Sequence, residues 1–187
     1  MWSHTSIITL LLNGVQSYDN YLMSQSFLDA TTGCSGSVLS TSFYKTNVCF
    51  NSQFVTCSTA DGVATLTGYT NPDCTGRITT LEKYQLQCDE ASGYQFSCQN
   101  EVYPIHNTVG AYNYYDTNDC DTEPFFAQMS ITNTCQYGAI IQCTNSTMTT
   151  TSFQQLDCTF EISKSTVNLN TNCIKNANFQ SSKNVCF

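Results

Sequence analysis

Residues Tyr69 to Cys88 read YTNPDCTGRITTLEKYQLQC, and the same outline returns three more times in the chain. It appears in Phe27 to Cys49 (FLDATTGCSGSVLSTSFYKTNVC), in Tyr114 to Cys135 (YYDTNDCDTEPFFAQMSITNTC) and, more loosely, in Phe153 to Cys173 (FQQLDCTFEISKSTVNLNTNC). Each copy runs from an aromatic through Asp or Asn to a cysteine. A second cysteine follows about fourteen residues later and a third eight to thirteen beyond that. Repetition at a fixed period is settled first, because it decides how the whole fold is read.

The cysteines are Cys34, Cys49, Cys57, Cys74, Cys88, Cys98, Cys120, Cys135, Cys143, Cys158, Cys173 and Cys186. Cys120, Cys135 and Cys143 repeat Cys34, Cys49 and Cys57 at a constant offset of 86, and the next three follow at 84, 85 and 88. The chain is a tandem duplication, and each half is itself duplicated, giving four units of three cysteines. Twelve cysteines without the spacing of a zinc site read as disulfides formed in an oxidising compartment. Because three is odd, no unit satisfies itself. Pairing first with second inside each unit leaves the thirds to pair with each other. The expected bridges are Cys34–Cys49, Cys74–Cys88, Cys57–Cys98, Cys120–Cys135, Cys158–Cys173 and Cys143–Cys186. A half of about 75 residues has a thin core, so such staples matter to it.

Between the cysteines the pattern is that of strands. Phe54–Ser58 and Val63–Thr67 flank Asp61-Gly62, a pair suited to a tight hairpin, and Tyr94 to Ser97 alternates apolar and polar residues. A further strand is expected within Leu81 to Leu86, and no sustained helical period exists. The expected fold is all-β: two tandem disulfide-stapled antiparallel β-sandwich-like domains with an apolar N-terminal strand. The divisions are an extension at 1–26, a six-cysteine domain at 27–100, a connector at 101–112 with Pro104 and Gly110, and a second six-cysteine domain at 113–187. Ile7, Ile8, Leu10, Leu11 and Leu12 form a short apolar run with no basic residue before it. It is read either as a secretory segment cleaved after Ser17 or, preferably, as a retained buried strand. No stretch is long enough to span a bilayer as a helix.

Six basic residues face fourteen acidic ones, for a net charge of −8, and the basic residues are scattered singly. That excludes the clustered Lys and Arg that grip phosphate backbones, so no nucleic-acid partner is expected. Of the two histidines, His4 and His106, neither sits at a ligand spacing from a cysteine, and His106 lies in the connector. No catalytic residue, metal or cofactor is therefore expected. Adjacent Asp89 and Glu90 read as a solvated turn. Asp116, Asn118, Asp119, Asp121 and Glu123 are the densest acidic cluster, but Cys120 interrupts it and the glycine of a calcium loop is missing, so a surface turn is the simpler reading. Asn145-Ser146-Thr147 is an N-glycosylation sequon expected at an exposed hairpin. Tyr112, Tyr114 and Tyr115 would suit stacking on sugars if exposed, and would fill the core if not.

The run aromatic-x-Asp/Asn-x-x-Cys-x-Gly in YTNPDCTG (Tyr69 to Gly76), with the later YQFSC (Tyr94 to Cys98), resembles Cys-rich, Thr/Ser-rich repeat proteins secreted by unicellular eukaryotes. The resemblance extends from Phe27 to the C-terminus and departs in the second half, where no glycine stands two residues after Cys120 or Cys158 as Gly36 and Gly76 do after Cys34 and Cys74. It implies an extracellular β-rich module without an assigned reaction. The functional expectation is a non-enzymatic extracellular protein that assembles with copies of itself into a filament or surface coat. Its contacts would be head-to-tail, with the N-terminal strand added to a neighbour's sheet. A secreted glycan-binding or adhesion module is the alternative.

Overall fold

A computed structural model describes residues 19–28, 30–115, 120–144, 146–169, 173–175 and 180–187. The first half carries β1 (Tyr21–Phe27), β2 (Val38–Lys45), β3 (Cys49–Phe50), β4 (Gln53–Ser58), β5 (Val63–Tyr69), β6 (Ile78–Gln85), β7 (Cys88–Asp89) and β8 (Tyr94–Gln99). The second repeats them as β9 (Thr108–Tyr115), β10 (Phe126–Ile131), β11 (Cys135–Gln136), β12 (Ala139–Cys143), β13 (Thr147–Phe153), β14 (Glu161–Asn168), β15 (Ile174–Lys175) and β16 (Gln180–Cys186). The molecule is all-β and stapled by six disulfides, with every strand pair antiparallel.

Each half has two four-stranded layers that exchange strands. β7-β8-β1-β2 form one layer and β3-β4-β5-β6 the other, so each layer takes two strands from each repeat unit. The strands keep the repeat: β6 begins and ends 40 residues after β2, and β8 begins and ends 41 after β4. Between the layers Leu22, Val55 and Ala64 are buried, with Leu66, Tyr84 and Phe96 packed against them. The second half repeats the pattern as β15-β16-β9-β10 and β11-β12-β13-β14.

The halves are not separate sandwiches. β2 pairs with β10, so the order β15-β16-β9-β10-β2-β1-β8-β7 makes one eight-stranded sheet. In this seam Ser42 lies opposite Gln128, its own image 86 residues on, and Phe43 and Thr41 face Ala127 and Met129. The seam therefore has the register of a two-fold contact between two copies, realised inside one chain. One face of it is closed: Phe43, Ala127 and Met129 are fully buried, and Tyr21, Met23, Tyr112 and Tyr114 complete the cluster. Burying a ring the size of Phe43 contributes about 2–3 kcal/mol.

Four expected bridges are wrong. The cysteines pair as Cys34–Cys88, Cys49–Cys74 and Cys57–Cys98, and in the second half as Cys120–Cys173, Cys135–Cys158 and Cys143–Cys186. Cys34 and Cys49 stand at opposite ends of β2, and an eight-residue strand at about 3.3 Å per residue separates its ends by about 26 Å. A disulfide needs its Cα atoms within about 7 Å. Strands β6, β10 and β14 separate the first and second cysteines of the other units in the same way. The first cysteine of one unit must reach the second of its neighbour, and strand exchange between the layers brings them together.

Two boundaries move as well. β1 starts at Tyr21, inside the expected extension 1–26, and the expected connector 101–112 becomes strand from Thr108 onward. Its remaining part crosses the closed face, where the Tyr103 ring meets Phe43 edge-on at 5.3 Å and its hydroxyl donates to Met23 Sδ. The Asp61-Gly62 hairpin forms, but as a four-residue loop from Thr59 in which Gly62 alone takes positive φ. The N-terminal run Ile7 to Leu12 lies outside the described residues.

Candidate functional site

Residues singled out from the sequence fall mostly into structural roles. Tyr112 and Tyr114 are buried in the closed face, and Tyr115 packs its ring 4.3 Å from Phe125 while its hydroxyl donates to the Cys49 carbonyl at 2.6 Å. Burial raises the pKa of all three phenols to about 12. Tyr112 and Tyr114 are core, and half-buried Tyr115 is engaged by Phe50 and Phe125, so the three do not form an exposed stacking platform for a sugar. Asp89 accepts from the Ser92 hydroxyl at 2.6 Å and from the Ala91 amide at 3.1 Å, which holds its carboxyl below the ordinary range in a turn, and Glu90 is exposed. His106 is exposed on the crossing segment.

Asp116, Asn118, Asp119 and the sequon residue Asn145 lie outside the described residues. Of the rest of the acidic cluster, Glu123 pairs with Lys45 at 2.6 Å, across the seam, and Asp121 is exposed. Among the described residues no group of three or more His, Cys, Asp or Glu is placed to hold a metal. Thr144 and Ser146, on either side of Asn145, are exposed in the β12–β13 turn.

Two features stand out beyond these. The first is a cleft of about 580 Å³ in the first half, where the layers part beside β6 and β8. Tyr44, Tyr84, Tyr94 and Phe96 line it, with Asp89 and Ser92 at its polar end. Tyr84 and Phe96 stack at 4.7 Å, and the Tyr84 hydroxyl donates to Glu82. The alternation at Tyr94-Gln95-Phe96 marked a strand in the sequence. It did not reveal that one face of that strand borders an opening, because the partner rings come from β2 and β6.

The second feature is a pair of long free edges; the other sheet ends, β3, β7, β11 and β15, are strands of two residues. β6 and β14 end their sheets, each with a neighbour on one side only. All eight residues of β14 are exposed, as are seven of the eight in β6. Their counterparts in the other layer are β2 and β10, the two strands zipped in the seam. Each half therefore has two equivalent edges, one used and one open. An open edge displays a row of unpaired backbone N–H and C=O groups, a template for another strand. Apolar side chains accompany the edges: Ile78 and Leu81 on β6, and Ile162 and Val167 on β14, with Phe160 just before it.

Among the described residues no helix is long and apolar enough to cross a membrane. No known family, curated protein or solved structure matches the chain.

Proposed function

We propose that this is a non-enzymatic extracellular structural protein that assembles with copies of itself by strand addition, building a filament or surface coat. The observation that carries the reading is that β6 and β14, the repeat images of the zipped strands β2 and β10, end their sheets unpaired. Six bridges suit an oxidising, protease-rich exterior, where a reducing cytosol would not maintain them. Ile7 to Leu12 is an uncharged donor segment of the kind that adds to a neighbour's open edge, and β6 is the acceptor that would make such a contact head-to-tail. The resemblance to secreted Cys-rich repeat proteins supports the same setting.

Electron microscopy of the native protein tests the reading, with regular fibres or sheets expected. Removal of residues 1–17 is expected to leave a folded protein with its six bridges but without elongation. Dispersed single particles at all concentrations would overturn it. The aromatic cleft supports a second reading, a glycan-binding or adhesion module, because stacked rings beside a carboxylate suit a sugar's apolar face and hydroxyls. Glycan-array signal lost on Tyr94→Ala would favour it.

A further inference from the structure

We infer that β14 is the docking edge for β14 of a second copy of this chain, the two strands meeting antiparallel about a two-fold axis at Ser165. This rests on the self-assembly reading above and specifies one of its contacts. The chain already contains such a contact in the β2–β10 seam, centred where Ser42 faces its own image Gln128. Following the registers through the sheets, Ser163 to Asn168 hold in β14 the places of Phe126 to Ile131 in β10, so Ser165 stands where Gln128 does. In β6 the same central place belongs to Glu82, 40 residues after Ser42.

Applying the seam register to the open edges gives three pairings, and charge separates them. β6 against β6 sets Glu82 opposite Glu82, and β6 against β14 sets Lys83 opposite Lys164. Like charges directly opposite each other destabilise a sheet. β14 against β14 sets Ser165 opposite Ser165, Lys164 opposite Thr166, Ser163 opposite Val167 and Ile162 opposite Asn168, with no like-charge pair. Lysine on an edge strand ordinarily discourages pairing, and here Lys83 and Lys164 discourage the mixed pair while leaving this one open.

The rim points the same way. Phe160 is 69% exposed just before β14 and holds φ at 60°, where the first half has Gly76 at 85°. A non-glycine residue in that left-handed region is strained, so the second half keeps an exposed ring at its edge against a local penalty. Ile162, two residues on, is 67% exposed. A partner strand in this register lies over Ile162 and ends next to Phe160 while completing the sheet.

Sedimentation velocity on the full chain over a concentration series tests the contact. The smallest associated species is expected at twice the 20.7 kDa chain mass. Ser165→Glu, which gives β14 the residue that β6 already carries at Glu82 and so suits the fold, is expected to weaken that species at least tenfold. Ser165→Lys is expected to do the same, and an equimolar mixture of the two variants to restore association. Wild-type protein that associates while Ser165→Glu associates equally well would overturn this contact and leave self-assembly standing. Wild-type protein that stays monomeric throughout would overturn both.

Discussion

Between its layers the first half buries Leu22, Val55 and Ala64, with Leu66, Tyr84 and Phe96 packed against them. The matching places in the second half hold Val109, Ile141, Met148, Thr150, Val167 and Asn184. Leucine has become threonine and phenylalanine has become asparagine, yet strand order and bridge pattern are unchanged. The difference teaches that a stapled repeat need not keep an apolar interior. Cys143–Cys186 spans the layers of the second half as Cys57–Cys98 spans those of the first, and closing about 40 residues removes roughly 3–4 kcal/mol of unfolded-state entropy. What both halves share intact is the closed face at the seam.

The comparison is broken most severely by charging that shared face. Tyr112 and Tyr114 have folded-state pKa values near 12 because burial disfavours the phenolate, and burial raises Tyr21 further. A raised tyrosine value favours the protonated fold, so the stability is fully present below the ordinary value of about 10 and is lost as pH rises through 12. Both halves are expected to unfold together between about pH 10 and 12, with phenolate absorbance and loss of near-UV circular dichroism coinciding. Separate transitions would show that the halves do not depend on one face.

Phe43→Ala comes next, at about 3–5 kcal/mol, since its fully buried ring meets Tyr103 and faces Ala127 across the seam. Urea unfolding should show one transition at lower denaturant, not loss of the first half alone. Replacing Cys143 and Cys186 together by Ala is expected to cost about 3–4 kcal/mol and to expose the second half selectively to hydrogen exchange. The matching removal of Cys57 and Cys98 should leave the first half better protected, because its interior is apolar; equal exposure would deny that contrast. The smallest effect is the exchange of interiors. Leu66→Thr is expected to destabilise by about 1 kcal/mol, the side chain being half-buried, and Thr150→Leu to stabilise by less than that in the same melts.

Much of this was legible from local pattern. Alternation and the Asp61-Gly62 turn located β4 and β5, YQFSC located β8, and the 86-residue offset announced a repeated fold. The sequence already holds the reason that first and second cysteines cannot pair, since the expected strand at Leu81 to Leu86 separates Cys74 from Cys88. The site was less legible. Tyr112 and Tyr114 are aromatic and clustered whether they face water or a core, and only their place on the closed face decides which.

The repeat, the all-β class and the even cysteine count follow from the sequence alone, because turn chemistry and side-chain alternation act over a few residues. Which strand lies beside which does not. Four units with nearly the same alternation offer each edge several equivalent partners, and the choice is made by burial summed along the sheet and between layers: Phe43 beside Ala127 at the seam, Leu22 against Val55 between the layers. That choice exchanges strands between the layers, redirects four of the six bridges and closes β2 on β10. It also leaves β6 and β14, locally so like the strands of the seam, as the edges that face outward.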